Sequence, residues 1–202
     1  MQPAAPTLRC GSVNLCGIAV AGRLHAAAAR WRSARYDIVL VQEHHLTSHL
    51  HDSTILAALA SLGWKVYISF SRPGASGRPR GGTAVLLRRA LLQSGEVSTP
   101  VVQRCPRGRF TALSFAWSGH RLHVCSVYLP NLATARSSYI HTSLGPLAAE
   151  AAAASRRLVW GGDFNFTPDP HLDRRSIAHT PLRRSTCSND ASTQRAFSLF
   201  LP

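Results

Sequence analysis

Residues 158–165 read Leu158-Val159-Trp160-Gly161-Gly162-Asp163-Phe164-Asn165, an apolar run that ends in two glycines and two polar residues. The apolar run predicts a buried strand that stops at the glycines. A sharp turn can follow, because glycine adopts backbone angles that other residues avoid. Residues after such a strand are presented at the edge of a sheet, where α/β folds bind their ligands. The stretch therefore predicts a site at Asp163 and Asn165.

Asp163 and Asn165 lie two residues apart, so their side chains point the same way if the segment is extended. A carboxylate can accept a proton from water, and a carboxamide can donate hydrogen bonds to phosphate oxygens. The pair thus favours chemistry on a phosphate. A surface turn is the alternative, because Gly, Asp and Asn are common in turns.

The charge of the chain favours a polyanionic partner. Its 202 residues carry a formal net charge of +14, and Lys65 is the only lysine. Nucleic acid is the commonest partner of so basic a protein, and arginine suits bidentate contacts with phosphate. A GC-rich coding bias, which raises Arg and Ala together, is the alternative source of part of this charge.

Several classes of protein are disfavoured by the remaining composition. No apolar run approaches the roughly 18 residues of a membrane span, and residues 1–10 lack the core of a signal peptide. We therefore expect a soluble intracellular protein, nuclear if it acts on genomic DNA. Five cysteines without a C-x-x-C pair indicate reduced thiols. The histidine cluster at 44, 45, 49 and 51 has no ligand spacing and predicts a solvated, weakly basic face.

Periodicity predicts the order of the elements. Strands are expected over 8–15, 38–41, 64–70, 83–88, 96–104, 109–117, 121–128 and 158–160, and helices over 24–35, 53–62 and 135–155, the last interrupted at Gly145-Pro146. The segment 72–82, rich in Gly, Pro and Arg, predicts a mobile basic loop. Together they predict two sheets packed face to face with helices outside.

Polar residues stand at four predicted strand ends: Asn14, Glu43, Tyr128 and the Asp163/Asn165 pair. If the strands are neighbours, these side chains meet at one edge of the sheets. Glu43 would be a hard oxygen ligand for Mg²⁺, and Tyr128 could offer a hydroxyl to a phosphate oxygen. Taken singly, each residue is also typical of a turn, a solvated strand end or the start of a loop.

Five segments in this order resemble the endonuclease/exonuclease/phosphatase family: Asn14-x-x-Gly17-Ile18, Gln42-Glu43, Arg80-Gly81-Gly82, Val127-Tyr128-x-Pro130-Asn131, and Gly161-Gly162-Asp163-Phe164-Asn165. The resemblance covers about residues 7–175. Within the family, Gly-Gly-Asp-Phe-Asn-Phe-x-Pro followed by Leu172-Asp173-Arg174 is most similar to the endonuclease domain of non-LTR (LINE-type) retrotransposons.

The resemblance implies a four-layer α/β sandwich, two packed mixed sheets flanked by helices, that nicks DNA with Mg²⁺ or Mn²⁺ and no small-molecule cofactor. It implies that Glu43 binds the metal with support from Asn14, and that Tyr128 contacts the scissile phosphate. Asp163 would orient or deprotonate the attacking water, and Asn165 would help to hold the phosphate. Contacts with the DNA backbone are expected from Arg72, Arg78, Arg80 and Arg174.

Two departures from the family pattern qualify this expectation. Cys16 stands where apurinic-site endonucleases of the family carry an acidic residue, and no Ser-Asp-His occurs. We therefore expect a single domain over 1–202 that lacks its last strands, in which loss of the histidine lowers or abolishes activity. The alternatives are a non-catalytic protein that binds nucleic acid and a phosphatase of the same fold acting on lipid or inositol phosphates.

Overall fold

The computed structural model of the chain describes residues 7–17, 21–48, 52–74 and 76–166. Its strands are β1 (Cys10–Asn14), β2 (Ile38–Gln42), β3 (Trp64–Ser69), β4 (Arg72–Pro73), β5 (Pro79–Arg80), β6 (Thr83–Arg88), β7 (Val101–Arg104), β8 (Phe110–Trp117), β9 (His120–Tyr128) and β10 (Arg157–Asp163). Its helices are α1 (Ala21–Ser33), α2 (Ser53–Ser61), α3 (Arg89–Gln93), α4 (Ala133–Tyr139) and α5 (Gly145–Ala153), with a π-helical turn at Ile140–Leu144.

The chain forms two compact units. The first comprises residues 1–128 and 154–163, and the second comprises residues 129–153 and 164–202. All ten strands lie in the first unit. That the whole chain is one domain stays a prediction.

The first unit contains two four-stranded mixed sheets. In one sheet the order is β1-β2-β6-β3, with β1 parallel to β2 and the other neighbours antiparallel. In the other it is β10-β9-β8-β7, with β10 parallel to β9. β8 and β9 are joined in a hairpin by a two-residue turn. Its two residues, Ser118 and Gly119, have φ values of 47° and 77°, as a tight hairpin turn requires.

Side-chain alternation along β2 explains why the two sheets pack together. Ile38 and Leu40 belong to the core between the sheets, together with residues of β8 and β9 such as Leu113. Val39 and Val41 point the other way and pack against residues of α1 and α2. Each of these four β2 residues is at most 2% exposed, and burying such a side chain contributes about 1.5–3 kcal/mol. A strand buried on both faces must be apolar throughout, as this one is.

The mixed α/β fold class, with two packed mixed sheets and helices, is confirmed. Several predicted boundaries are wrong. The strand at 158–160 does not stop at the glycines but continues to Asp163, and the strand predicted over 96–104 begins only at Val101. The predicted loop at 72–82 contains the short hairpin β4–β5, and α3 was not predicted. The strands expected to be missing concern a part of the chain outside the described residues.

The second unit contains α4, the π-helical turn and α5. Gly145-Pro146 does not interrupt the helical run: α5 begins at Gly145, directly after the π-helical turn, and Pro146 lies in its first turn. Arg136 is 1% exposed, and its Nη1 donates to the carbonyls of Pro130 (3.1 Å) and Asn131 (2.8 Å). Within the described ranges, no helix has the length and apolar character needed to cross a membrane.

Candidate active site

The ends of β1 and β10 are joined by a side-chain hydrogen bond. Nδ2 of Asn14 donates to Oδ2 of Asp163 at 2.8 Å, across 149 residues of sequence. Oδ1 of Asn14 accepts from the backbone N–H of Cys16 at 2.9 Å. Both ends of the carboxamide are therefore engaged, so its orientation is determined. Asn14 presents its N–H to the carboxylate and holds Asp163 in position.

Glu43 follows the last residue of β2 and is half-buried. Its φ is 52°, in the left-handed region that residues other than glycine adopt at a cost of about 1–3 kcal/mol. Its carbonyl accepts from the N–H of Gly17 at 2.7 Å, which ties this turn to the segment after β1. A strained backbone directs the carboxylate away from the strand and towards Tyr128.

Tyr128, the last residue of β9, interacts with the carboxylates of both Glu43 and Asp163. Its hydroxyl donates a hydrogen bond to Glu43. Burial, this hydrogen bond and the charges of Glu43 and Asp163 all raise the pKa of Tyr128, and the charge of Arg109 opposes them. The hydroxyl therefore stays protonated at neutral pH and can act as a donor. The guanidinium carbon of Arg109 lies 4.8 Å from the centre of the Tyr128 ring, in a cation–π contact.

The four strands that carry the site residues, β1, β2, β9 and β10, have their carboxyl ends on the same side of the packed sheets. Asn14 and Glu43 stand at the carboxyl ends of the parallel pair β1 and β2, and Tyr128 and Asp163 at the carboxyl ends of the parallel pair β9 and β10. Parallel pairs bring their carboxyl ends to one edge, and the packing of the two sheets brings the two edges together. The predicted convergence of these four side chains is seen in the structure.

Gln42 anchors Glu43 by linking the two sheets. Its Nε2 donates to Oγ of Ser126 in β9 at 2.9 Å, and Ser126 in turn donates to the carbonyl of Val41 at 2.8 Å. Gln42 is 1% exposed and Ser126 fully buried, so neither group can bind water instead. Gln42 thus forms a buried hydrogen bond between the two sheets, and Glu43, the next residue, is half-buried at the candidate site.

His44 is structural, and the prediction that it lies on a solvated face is wrong. It is 1% exposed, and burial lowers its pKa to about 4. Nδ1 accepts from the N–H of Leu46 at 2.9 Å, so the proton is on Nε2, which donates to the carbonyl of Ser69 at 3.2 Å. The neutral ring connects the loop after Glu43 to the end of β3.

Two glycine positions of the predicted motifs are explained by close packing. A side chain on Gly82 would lie 2.5 Å from Cε1 of His44, and one on Gly162 would overlap the carbonyl of Val127. Gly162 is thus required inside the strand, where β10 and β9 approach closely, and not for the sharp turn that the sequence suggested.

Asn165 lies in the second unit. Its Nδ2 donates to the carbonyl of Leu129 at 2.6 Å, and its φ is 53°. The chain is therefore not extended at Asn165, and the argument that Asp163 and Asn165 point the same way because the segment is extended is wrong. The role of Asn165 in holding a phosphate stays a prediction.

Three of the four predicted DNA-binding arginines lie in or beside the β4–β5 hairpin. Arg72 and Arg80 face each other across the β4–β5 hairpin, Arg78 lies just before β5, and all three are exposed. Nε of Arg72 donates to the carbonyl of Pro106 at 2.8 Å, which fixes the base of the hairpin. The hairpin leads into Gly81, where an added side chain would lie 3.4 Å from the ring of Tyr128. Arg174 lies outside the described residues.

Within residues 7–17, 21–48, 52–74 and 76–166, no group of three or more His, Cys, Asp or Glu side chains could hold a metal ion. Glu43 and Asp163 together provide two carboxylates around one tyrosine hydroxyl. Such a set fits Mg²⁺, which binds one or two carboxylates and keeps several water molecules. It does not fit structural zinc, which needs four protein ligands.

Sequence reasoning missed three residues of the site: Arg109, Ser126 and the structural role of His44. Arg109 precedes an apolar strand and Ser126 lies within one, so neither has a local pattern that marks it. The signal for His44 was its place directly after Gln42-Glu43. Only the register of the strands shows what these side chains contact.

Solved structures with the same architecture include DNA-processing enzymes. An AP endonuclease from Archaeoglobus fulgidus superposes with a TM-score of 0.62 at 19% identity, over 96% of this chain and 70% of that one. TDP2 from D. rerio in complex with a single-stranded DNA product gives 0.54 at 16% identity, over 82% and 63%. A truncated TDP2 from Caenorhabditis elegans gives 0.50 at 19% identity, over 74% of this chain and only 57% of that one. At these identities the likeness shows the fold alone.

The fold and the site define an α/β sandwich with a carboxylate and amide cluster at the carboxyl edge of two sheets. The profile described as "Endonuclease/Exonuclease/phosphatase family" matches residues 11–196. The chain belongs to this family, whose members act on phosphoesters. No curated protein matches the sequence.

Proposed function

We propose that this chain hydrolyses phosphodiester bonds in DNA with a divalent metal ion, Mg²⁺ in the first instance. The observation that supports this best is the Asn14–Asp163 hydrogen bond beside the Tyr128–Glu43 hydrogen bond. They support the proposal because Asp163, Glu43 and the hydroxyl of Tyr128, the proposed base, metal ligand and donor, lie close together at one edge. The net charge of +14 favours DNA over small phosphorylated substrates.

Glu43 is the proposed metal ligand, and Oδ1 of Asn14 keeps a second lone pair that can reach the metal or its water. A metal bound there would supply charge that offsets the phosphate and steadies the leaving oxygen. One carboxylate ligand leaves several positions on the metal for water and substrate, as this chemistry requires.

Asp163 is the proposed general base. It takes the proton of the attacking water while the water oxygen bonds to phosphorus and the bond from phosphorus to the 3′ oxygen breaks. The leaving oxygen takes a proton from solvent, so the products are a 3′-hydroxyl and a 5′-phosphate. Asn14 holds Asp163 in orientation. When Glu43 binds the metal, the hydroxyl of Tyr128 would change its acceptor from Glu43 to a phosphate oxygen, where negative charge develops. Asn165 is proposed to help hold the phosphate.

The test is nicking of supercoiled plasmid with Mg²⁺, with EDTA as the metal-free control. Asp163→Asn keeps an acceptor for Asn14 but removes the base, and we expect nicking to fall by about 10²-fold or more. The matched control is Glu96→Gln, a carboxylate exposed on the surface between α3 and β7, which should nick at the unaltered rate. Equal rates for the unaltered protein and Asp163→Asn would overturn the assignment of Asp163.

No Ser-Asp-His occurs in these 202 residues, so we expect slow turnover and an assay that runs for hours. Losing one group that stabilises the transition state typically costs about 10²–10³-fold. A protein that binds DNA tightly but does not nick it in Mg²⁺ or Mn²⁺ after this time would be the non-catalytic binding protein instead.

The finer proposal, nicking of the retrotransposon type, rests on Gly161-Gly162-Asp163-Phe164-Asn165-Phe166 and Leu172-Asp173-Arg174. Such a nick must leave a 3′-hydroxyl that primes DNA synthesis. Nicked plasmid should therefore be extended by a DNA polymerase without prior phosphatase treatment. Extension that needs phosphatase treatment would contradict this proposal but not the hydrolysis itself.

A further inference from the structure

A cavity of about 600 Å³ lies at the opposite end of the first sheet from the candidate active site. It is lined by residues of three connections, namely α1–β2, α2–β3 and β6–α3. Four of the lining side chains are arginines: Arg32, Arg35, Arg88 and Arg89. No acidic residue is among the described residues that line it.

The positive charge in the cavity is poorly balanced. Asp37 forms an ion pair with Nη1 of Arg88 at 3.6 Å, and its other oxygen accepts from the backbone N–H of Arg9 at 2.9 Å. Within the described part of the chain, the side chains of Arg32, Arg35 and Arg89 make no hydrogen bond or ion pair. Like charges held close together repel, and a polyanion entering the cavity would relieve this repulsion while gaining bidentate guanidinium contacts.

Arg35 occupies a position that normally favours glycine. The N–H of Tyr36 donates to the carbonyl of Trp31, and that of Arg35 to the carbonyl of Arg32, which is the pattern of a helix ending in a left-handed residue. That residue is Arg35, with φ of 56°. The corresponding turn after α2 has glycine, Gly63, with φ of 86°. Both turns line the cavity, and an arginine stands at a position where glycine would be easier to accommodate.

The cavity is far from the candidate catalytic edge. Asp37 precedes β2 and Glu43 follows it, so the strand separates the two ends by roughly 20 Å. A ligand in the cavity therefore does not meet the groups that perform hydrolysis, and the cavity is a separate site.

We propose that this arginine cavity is a second binding site for the phosphate backbone of nucleic acid. The choice of nucleic acid over other polyanions rests on the proposed function, whereas the cavity and its charge do not. The site would hold a segment of DNA beyond the one at the catalytic edge, or a second DNA.

The test is metal-free binding of a labelled 30-bp duplex, measured by fluorescence anisotropy over a range of salt concentrations. The variants are Arg32→Gln and Arg35→Gly, and the matched control is Arg30→Gln. Arg30 is also exposed on α1 but does not line the cavity, since residues two apart on a helix face different ways. Phosphatidylserine vesicles form a second arm, because they present phosphate on a different kind of surface.

We expect each cavity variant to weaken DNA binding and to lower the slope of log K against log salt by about one, while Arg30→Gln leaves the slope unchanged. The melting temperature of Arg35→Gly should equal or exceed that of the unaltered protein, which shows that lost binding is not lost folding. Equal slopes for Arg32→Gln, Arg35→Gly and Arg30→Gln would overturn the proposal, since binding would then depend on the total charge and not on the cavity. It is also overturned if the cavity variants lose vesicle binding but keep DNA binding. Because this binding assay contains no metal, its result does not depend on whether the protein nicks DNA.

Discussion

Asn14 is a positioning residue at the scale of single side chains. Its amide has one hydrogen bond to Asp163 and one to the backbone of Cys16, so it transmits the position of the β1 end to the candidate base. A side chain of this kind affects the reaction through the group that it holds. Its loss should therefore change turnover more than substrate binding.

We predict that Asn14→Ala lowers kcat of plasmid nicking by about 10–100-fold with little change in KM, because a misplaced base loses much of its effect. The stability of the protein should change by less than about 1 kcal/mol, since the site is only partly buried. Steady-state nicking and thermal unfolding measure the two effects. An unchanged kcat would show that Asn14 does not position Asp163.

Tyr67 makes the alkaline stability of the fold testable. Burial raises the pKa of Tyr67, partly opposed by the charge of Arg104. The folded state therefore favours the neutral phenol, and this contribution is fully present below about pH 10, the ordinary value, and is lost as pH rises further. We predict that Tm falls as pH rises above about 10 and falls less in Tyr67→Phe. Equal falls in both proteins would contradict this.

At the scale of elements, residues 43–48 after β2 are held by polar side-chain contacts, of which those of His44 are buried. His44 links Leu46 to Ser69 through its two ring nitrogens, and Oδ2 of Asp52 accepts from the N–H groups of Thr47 (2.7 Å) and Ser48 (3.1 Å). Asp52 is the N-cap residue of α2 by position, but its carboxylate makes no capping hydrogen bond to that helix. The segment that carries Glu43, residues 43–48, is thus held by side chains and not by regular secondary structure.

We predict that His44→Ala destabilises the protein by about 2–4 kcal/mol, because two buried backbone groups, the N–H of Leu46 and the carbonyl of Ser69, lose their partners. His44→Asn keeps an acceptor close to the position of Nδ1 and should recover part of this loss. The control, His120→Ala at an exposed position, should change stability by less than about 0.5 kcal/mol. Chemical denaturation provides the measurement, and equal losses for His44→Ala and His120→Ala would disprove the structural role.

The junction of β9 and β10 depends on Gly162. A methyl group there would meet the backbone of Val127, which cannot move without breaking the ladder. We predict that Gly162→Ala costs more than about 3 kcal/mol or prevents folding. Gly119→Asn is the control, because it lies in an open turn that tolerates asparagine. Circular dichroism and the yield of folded protein distinguish the two. A fully stable Gly162→Ala would show that β10 lies further from β9 than the structure has it.

At the scale of the whole molecule, the net positive charge is expected to drive DNA binding, whereas the candidate base is expected to act only in hydrolysis. With a net charge of +14, DNA binding should be driven largely by the release of counterions. We predict a slope of log K against log salt steeper than about −3, and the same slope for Asp163→Asn, since the base takes no part in it. Binding that hardly changes with salt would exclude DNA as the partner through this mechanism.

The fold class and the four converging residues could be predicted because their signals are local. Apolar alternation shows which face of a strand is buried, and a polar residue directly after a buried strand marks its end. The end of β10, the shortened β7 and the helix α3 could not be predicted, because glycine, short strands and single helical turns are decided by the neighbours they pack against. His44 shows the same limit, since Ser69 and Gly82, which pack against its ring, are distant from it along the chain.

The sequence by itself determined that Asn14, Glu43, Tyr128 and Asp163 lie at or close to the ends of strands, because the types of neighbouring residues show where an apolar strand gives way to polar residues. Only the tertiary structure decided that Asn14 holds Asp163, that Arg109 stacks on Tyr128 and that four arginines share one cavity. Those contacts join segments that are distant along the chain, so they depend on sheet order and register, which no local pattern encodes.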